Sequence, residues 1–137
     1  MNKPVTADVA GKRDAQAVKT VCDILAQRFG EQFQTSAAMR EQHAHTMTFI
    51  KAQPPDGVLF AQSAEDVQTA VKTCAAHGVP VIAFGTGTSL EGNVNAPLGG
   101  ISIDLTRMDR IIAVHPDDLD CTVEAGCTRE ALNDYLR

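Results

Sequence analysis

Residues 79–92 read VPVIAFGTGTSLEG, an aliphatic run followed by a loop of glycines and hydroxyl side chains. The run predicts a buried strand over residues 79–84. Residues 58–60 predict an earlier strand, and residues 63–78 between the two have helical spacing. This order predicts a right-handed crossover between parallel strands. The loop after Phe84 therefore leaves the carboxyl end of a strand, where open α/β sheets bind their ligands.

The glycines of this loop fit neither of the common phosphate-binding motifs. Gly85 and Gly87 match the first two glycines of the dinucleotide fingerprint, but Leu90 stands where its third glycine belongs. Asp104 stands where a ribose-binding acid would be expected. However, NVNAPLGG at 93–100 cannot sustain the helix that the fingerprint needs, and no Gly-Lys-Ser/Thr of a P-loop follows.

The loop still has the properties of an anion-binding site. Its hydroxyl side chains are Thr86, Thr88 and Ser89, it contains no Lys or Arg, and its one acid is Glu91. Successive backbone N–H groups can hold an anion without a cationic side chain, and glycine allows close approach of the main chain. The alternative is a glycine-rich surface turn that binds nothing.

Two helices are predicted before the first strand. The first begins at Asp14, ends at Gly30, and buries an apolar face made of Val18, Val21, Cys22, Leu25 and Phe29. The second begins near Ser36 and ends before Pro54 and Pro55. In the helix of residues 63–78, a capping box at its start and a buried face are predicted; the face consists of Val67, Ala70, Val71 and Cys74.

The chain after the loop has a different pattern. Residues 101–105, 111–114 and 121–125 predict three short strands without helices between them, and hence antiparallel pairing. Thr128 caps a last helix that reaches Arg137. The predicted fold is α/β (α+β): a small parallel sheet with flanking helices, followed by the start of an antiparallel sheet. The incomplete second sheet suggests a fragment of a longer protein.

Composition narrows the function. The 137 residues carry 12 Lys and Arg against 17 Asp and Glu, a formal charge of −5, without a basic cluster, so nucleic acid is not expected as a partner. No apolar run is long enough to span a bilayer. The four cysteines form no CxxC pair, and no secretory signal precedes them, so reduced thiols and a cytoplasmic location are expected. A peripheral position at the inner face of a membrane is the alternative.

Three segments of the chain together resemble a known family. They are VPVIAFGTGTSLEG at 79–92, NAPLGGISIDLTRMDRIIAV at 95–114 and DLDCTVEAGCTREALNDYLR at 118–137. They resemble the opening of the FAD-binding domain of the p-cresol methylhydroxylase and vanillyl-alcohol oxidase type. Within it, they are most similar to the FAD-linked D-2-hydroxyacid dehydrogenases, the group of D-lactate dehydrogenase (cytochrome) and the glycolate oxidase flavin subunit. The resemblance divides the chain into a helical lead-in, 1–53, and the first part of an FAD-binding domain, 54–137.

The resemblance implies non-covalent FAD, because the loop offers no His, Tyr or Cys for attachment. It places the pyrophosphate against the loop and the adenosine half beside Pro80 and the following strand, with a second approach at the turn Ala125–Gly126. The cofactor-binding residues that it implies are Pro80, Phe84, Gly85, Thr86, Gly87, Thr88, Ser89, Leu90, Gly92, Ala125 and Gly126.

The resemblance also implies an activity for the whole protein: oxidation of a small D-2-hydroxy acid to the 2-oxo acid, with a cytochrome or quinone as electron acceptor. We assign no catalytic residue and no metal ligand within these 137 residues, and we expect this chain alone to be inactive and to bind FAD weakly or not at all. Two alternatives stay open: another alcohol, lactone or ether-lipid substrate, or a non-catalytic module that binds a phosphate ligand.

The histidines do not form a metal site by their spacing. His43 and His45 are two residues apart in a predicted helix, His77 precedes a helix-ending glycine, and His115 precedes a proline. We interpret all four as surface or capping residues. A zinc or redox site at Cys121 and Cys127 is the weaker alternative to ordinary packing.

Overall fold

The computed structural model describes residues 13–137 and contains two sheets and four α-helices within that range. Part of the predicted lead-in, residues 1–12, lies outside the described residues. The elements in chain order are α1 (Ala15–Phe29), a 3₁₀ turn (Gly30–Gln32), β1 (Phe33–Gln34), α2 (Ala37–Gln42), β2 (Gly57–Phe60), α3 (Ala64–Ala76), β3 (Val81–Phe84), β4 (Ile101–Asp104), β5 (Ile111–His115), β6 (Asp120–Val123) and α4 (Arg129–Tyr135).

The first sheet has the strand order β1-β2-β4-β3. β4 pairs in parallel with both β2 and β3, and β1 pairs antiparallel with β2. The predicted parallel orientation of β2 and β3 is confirmed, but the two strands do not pair directly, because β4 lies between them. The carboxyl ends of the three parallel strands are in register at Phe60, Asp104 and Phe84. This shared edge is where the loop at 85–92 begins.

The antiparallel pairing expected for residues 101–105 is wrong. All four residues of β4 are buried, as expected of a central parallel strand covered on both faces. The connection from β3 to β4 contains no helix, and the turn-rich residues that follow β4 suggested a hairpin. β5 and β6 do pair antiparallel, in a separate two-stranded sheet, so the predicted second sheet is confirmed for them.

One face of the first sheet packs against α1 and α3. The predicted apolar face of α1 is buried apart from Cys22, which is partly buried, and Leu25 and Leu59 are inaccessible to solvent. In α3, Cys74 is fully buried, but Val71, predicted to be buried, is 42% exposed because it lies off the face that contacts the sheet. Burial raises the pKa of the Cys74 thiol to about 11. All four cysteines are free thiols.

Irregular segments cover the second face of the sheet. Val58, Ser102 and Ile82 are in register and buried, yet they lie outside the α1–α3 cluster, so they belong to the other face. Residues 43–55 and 93–98 supply its cover: the Gln53 N–H donates to the Asn95 side-chain oxygen at 2.7 Å, and the Ala96 N–H donates to the Gln53 carbonyl at 2.8 Å. These contacts bring the segment after α2 against the loop that follows β3.

Side-chain caps begin three of the helices; those at Ser63 and Thr128 were predicted, whereas Ser36, the expected cap of α2, makes no side-chain bond. Asp14 accepts from the N–H groups of Gln16 and Ala17, and Thr128 accepts from the N–H of Ala131. Ser63 accepts from the N–H of Asp66. The Asp66 carboxylate accepts a hydrogen bond from the N–H of Gln62 and not from the N–H of the N-cap residue Ser63, so the predicted capping box is displaced by one residue.

Candidate functional site

The loop after β3 presents backbone donors at the carboxyl edge of the parallel sheet. Within residues 13–137, the structure gives no protein hydrogen-bond partner to the backbone N–H groups of Thr86, Gly87 or Thr88. Thr86 and Thr88 are exposed, and their hydroxyls lie 3.2 Å apart. These N–H groups have no partner within residues 13–137, and the loop contains no Lys or Arg. Such backbone donors are suited to a diffuse anion such as a pyrophosphate.

A cleft of about 1130 Å³ opens on one side of this loop. One wall consists of α2 and the residues that follow it, including Met39, His45 and Met47. The opposite wall consists of the sheet edge and residues 85–88 of the loop. The cleft therefore places an apolar surface beside the free donors, a combination suited to an aromatic ring that carries phosphate.

A second cleft, of about 340 Å³, opens on the other side of the loop. It brings the two separated parts of the predicted site together, since Gly85 and Thr86 line it with Ala125 and Gly126. The turn that contains Gly126 is held in place by a hydrogen bond of 2.8 Å from its N–H to the carbonyl of Met108. A methyl group on Gly126 would overlap the carbonyl oxygen of Leu105. Glycine is therefore required for this close approach.

Two glycines of the loop differ in what they allow. Gly87 has a φ of 68°, a left-handed conformation, and a Cβ there would lie 3.0 Å from Cζ of Phe84. At Gly85 the backbone is not left-handed, and a Cβ would meet no atom within 4 Å. The space in front of Gly85 is open to the clefts, so a ligand can approach its main chain closely.

A buried pair formed by His43 and Asp104 lines the larger cleft beside the loop. His43, interpreted from the sequence as a surface or capping residue, does stand at the C-cap of α2, but it is only 2% exposed. Its Nε2 lies 2.8 Å from Oδ2 of Asp104, and its Nδ1 lies 2.9 Å from the carbonyl oxygen of Met39. The surface interpretation is wrong. The helix α2 has only six residues, and His43 at its end is directed at the sheet edge.

The charges of this pair support each other. Burial disfavours both charged forms and is the largest single influence on His43, but the hydrogen bonds to Asp104 and to the Met39 carbonyl, together with the charge of Asp104, outweigh it and raise the pKa of His43. Burial likewise opposes ionisation of Asp104, yet bonds from His43 and Thr106 lower the pKa of that carboxyl. The Thr106 N–H and hydroxyl both donate to Oδ1 of Asp104, at 2.8 and 2.5 Å. Asp104 is thus fully engaged within the protein, which agrees with the rejection of a ribose-binding role.

Several residues implied by the resemblance lie away from the clefts. Pro80 is at the amino end of β3, the opposite end from the loop, where its carbonyl accepts from the Ile101 N–H at 2.9 Å. Ser89 and Gly92 pack against the segment after α2: the Thr46 hydroxyl donates to the Ser89 carbonyl at 2.6 Å. Leu90 is 66% exposed. The structure gathers Phe84, Gly85, Thr86, Gly87 and Thr88 at the first cleft, and two of them with Ala125 and Gly126 at the second.

Sequence reasoning missed three contributors to the site. Thr106 lines both clefts, and Arg129, at the start of α4, brings a cation to the second. His43 lines the first cleft, although only 2% of it is exposed. Thr106 follows a parallel strand at its carboxyl end, which was a usable signal. Arg129 and His43 had none, because their positions depend on the docking of separate segments.

The described residues hold neither a metal-binding cluster nor a membrane-spanning helix. Over residues 13–137 there is no cluster of three or more His, Cys, Asp or Glu side chains that could hold a metal ion. None of the described helices is both long and apolar enough to cross a membrane.

Comparison with known proteins decides the family. A family model described as "FAD binding domain" matches residues 55–137. The chain belongs to this family of FAD-binding domains. The resemblance noted in the sequence is confirmed, and FAD is the cofactor. The free N–H groups of Thr86, Gly87 and Thr88, the open space before Gly85 and the adjoining apolar cleft all fit a bulky dinucleotide.

Individual relatives agree with the family. The chain is 45% identical over 101 residues to "Probable D-lactate dehydrogenase, mitochondrial" of Danio rerio, covering 74% of this chain and 20% of the relative. It is 43% identical over 82 residues to "D-lactate dehydrogenase [cytochrome], mitochondrial" of Arabidopsis thaliana, covering 60% of this chain and 14% of the relative. The crystal structure of p-cresol methylhydroxylase with substrate bound has the same fold: TM-score 0.78, 23% identity, 92% of this chain and 25% of that one. The chain spans a fifth or less of the two relatives' lengths.

Proposed function

We propose that this chain is the cofactor-binding part of a flavin-dependent oxidoreductase that oxidises a small D-2-hydroxy acid, such as D-lactate or glycolate, to the 2-oxo acid. The observation that carries the proposal is the row of backbone donors at Thr86–Thr88, which have no hydrogen-bond partner within residues 13–137 and lie between two clefts at the carboxyl edge of the sheet. The named activity of the Danio rerio and Arabidopsis thaliana relatives supports the substrate class.

The role of this chain is to hold FAD non-covalently. Its backbone N–H groups and hydroxyls bind the pyrophosphate, and the walls of the two clefts orient the remainder and exclude water. When bound, FAD supplies the acceptor for the hydride equivalent removed from the substrate. The residues proposed for contact are Phe84, Gly85, Thr86, Gly87, Thr88, Ser89, Leu90, Gly92, Ala125 and Gly126, with Pro80 beside the adenosine half.

Two residues that were not predicted from the sequence make the second cleft better suited to an anionic ligand. Arg129 supplies a cation and Thr106 a hydroxyl within the same lining as Gly85 and Thr86. Neither residue is a carboxylate, and Asp104, the acid bonded to Thr106, accepts hydrogen bonds from both His43 and Thr106. A phosphate in this cleft therefore does not face an unpaired negative side chain.

The proposal extends to electron transfer and location. A cytochrome or quinone is the proposed acceptor, supported by the printed name of the Arabidopsis thaliana relative. We also propose a cytoplasmic location. The two relatives are named as mitochondrial, so cell fractionation is the test that separates the two locations.

The experiment that tests this function uses the full-length flavoprotein. It is purified, its absorbance spectrum is recorded without oxygen, and D-lactate, glycolate, D-2-hydroxyglutarate and L-lactate are added in turn. Loss of the oxidised flavin bands with a D-2-hydroxy acid but not with L-lactate is expected. Release of all flavin by acid denaturation is also expected, although Cys127 lines the second cleft.

Other outcomes select among the alternatives. Reduction only by another alcohol or a lactone would keep the flavoprotein and change the substrate. A purified protein that contains no flavin and binds none on addition of FAD would contradict the proposal and leave the non-catalytic module. Flavin that stays with the denatured protein would contradict non-covalent binding.

A further inference from the structure

The protonation of His43 follows from its two partners. The Met39 carbonyl can only accept a hydrogen bond, and so can the ionised carboxylate of Asp104. Both ring nitrogens therefore donate, at 2.9 and 2.8 Å, which requires the imidazolium form. The ionised form of Asp104 is favoured over the protonated form because its Oδ1 accepts two hydrogen bonds from Thr106. His43 and Asp104 thus form a buried ion pair with every strong acceptor and donor engaged.

This ion pair connects the two walls of the larger cleft. His43 ends α2 on one wall, and Asp104 ends β4 at the sheet edge opposite. From Asp104 the hydrogen bonds continue to Thr106, which lines both clefts. A continuous series of bonds therefore runs from the Met39 carbonyl to the point where both clefts meet the loop.

The aromatic neighbours extend this support to the loop itself. The His43 ring lies 4.3 Å from the ring of Phe84 and 5.6 Å from that of Phe60, measured between centroids. Phe84 immediately precedes Gly85, and its Cζ lies 3.0 Å from the Cβ position of Gly87. A movement of the His43 ring would therefore be transmitted through Phe84 to the main chain that presents the free donors.

We infer that His43 is a positioning residue for FAD: its ion pair with Asp104 fixes the loop and Thr106 in the geometry that binds the pyrophosphate. This role rests on the proposed placement of FAD along residues 85–92. His43 does not touch the ligand in this account. It acts through Phe84 and through the hydrogen bonds of Asp104.

In the part of the chain that the structure describes, few other charges near His43 could mimic this effect. Asp104 is the charged group in contact with it, from β4. Glu41 and His45 line the same cleft from the side of α2, and both are exposed. The guanidinium of Arg107 lies 4.5 Å from the centroid of the Phe60 ring, on which His43 also packs. β3 contributes the uncharged ring of Phe84.

The test measures the dissociation constant of FAD for the full-length apoprotein between pH 5.5 and 9, with His43→Gln as the variant and His77→Gln as the matched control. His77 is an exposed histidine at the C-cap of α3. Wild type and the control are expected to lose affinity, about tenfold, as the pH rises through the pKa of His43. His43→Gln should bind about tenfold more weakly at pH 6 and show no such pH step.

Three results would overturn the inference. The first is wild-type affinity in a folded His43→Gln protein. The second is a wild-type pH profile without the step. The third, which needs no variant, is an NMR titration in which the His43 ring is neutral at pH 6. If His43→Gln does not fold, the wild-type profile and the titration decide. If the wild type binds no FAD, the proposed function also fails, whereas a titration showing the imidazolium leaves the ion pair established.

Discussion

The two glycines at the start of the cofactor loop provide a matched pair for a test of the loop geometry. Gly87→Ala introduces a methyl group at a φ of 68° and 3.0 Å from Cζ of Phe84. The left-handed conformation costs an alanine about 1 kcal/mol, and overpacking against the ring adds about 1 kcal/mol or more. The ring cannot move freely, because it packs against buried His43. The expected loss of unfolding free energy is therefore about 2–3 kcal/mol.

Gly85→Ala is the control for this change. Its methyl group meets no atom within 4 Å, and its backbone is not left-handed. Alanine also lowers the entropy of the unfolded chain, so the unfolding free energy should stay constant or rise by up to about 1 kcal/mol. Urea unfolding of the 137-residue chain, followed by circular dichroism at pH 7, measures both variants. Equal destabilisation by the two substitutions would refute the reasoning from loop geometry.

Three further predictions concern the core, the second cleft and pH. Leu59→Ala should cost about 2–5 kcal/mol of unfolding free energy because Leu59 is fully buried. Val71→Ala, at a 42% exposed position, should change the unfolding free energy by about 0.5 kcal/mol at most. Urea unfolding compares the two variants, and similar losses would contradict the packing. Gly126→Ala should cost at least about 2 kcal/mol, since its methyl group overlaps a main-chain carbonyl; amide NMR shifts confined to position 126 would contradict that. The pKa of His43 is raised from 6.5, so its contribution to stability is complete below pH 6.5 and is lost as the pH rises through the folded-state pKa. The pKa of Asp104 is lowered from 3.8, so its contribution is complete above pH 3.8 and is lost as the pH falls through the folded-state pKa. Unfolding curves against pH should therefore show the pair's largest effect between these limits, and a wild-type minus His43→Gln difference independent of pH would contradict it.

The elements with strong local signals could be predicted from the sequence. The α1 face follows from apolar residues at helical spacing, and its end follows from Gly30, which has a φ of 53°. The hairpin of β5 and β6 follows from two short apolar runs around a polar turn. The cofactor loop can be predicted because its glycines follow an apolar strand and precede residues that cannot form a helix.

The position of β4 could not be predicted, because strand order depends on contacts between distant residues. ISID at 101–104 can serve in either type of sheet, and only its burial on both faces in the folded chain selects the central position. The same limit explains His43. Its burial depends on residues 43–55 packing over the sheet, which local spacing does not encode.

The site was predictable only where one segment supplies it. Residues 84–88 line the larger cleft as expected. Thr106 and Arg129 join the site because β4 and the turn after β6 dock beside the loop. Pro80 lies at the other end of β3, so its implied contact with the adenosine half requires a ligand that extends along the sheet. Its role stays a prediction.

The central claim is that the main chain of the loop binds the pyrophosphate of FAD, and one titration tests it most directly. FAD is added to full-length apoprotein carrying Gly85→Val or Glu91→Gln, and the dissociation constants are compared with that of wild type. Gly85→Val fills the open space before the donors, so affinity should fall at least about tenfold while unfolding is unchanged. Glu91→Gln removes the loop's one acid and should leave FAD affinity within about twofold of wild type. Unchanged affinity in Gly85→Val, or equal loss in both variants, would contradict the claim.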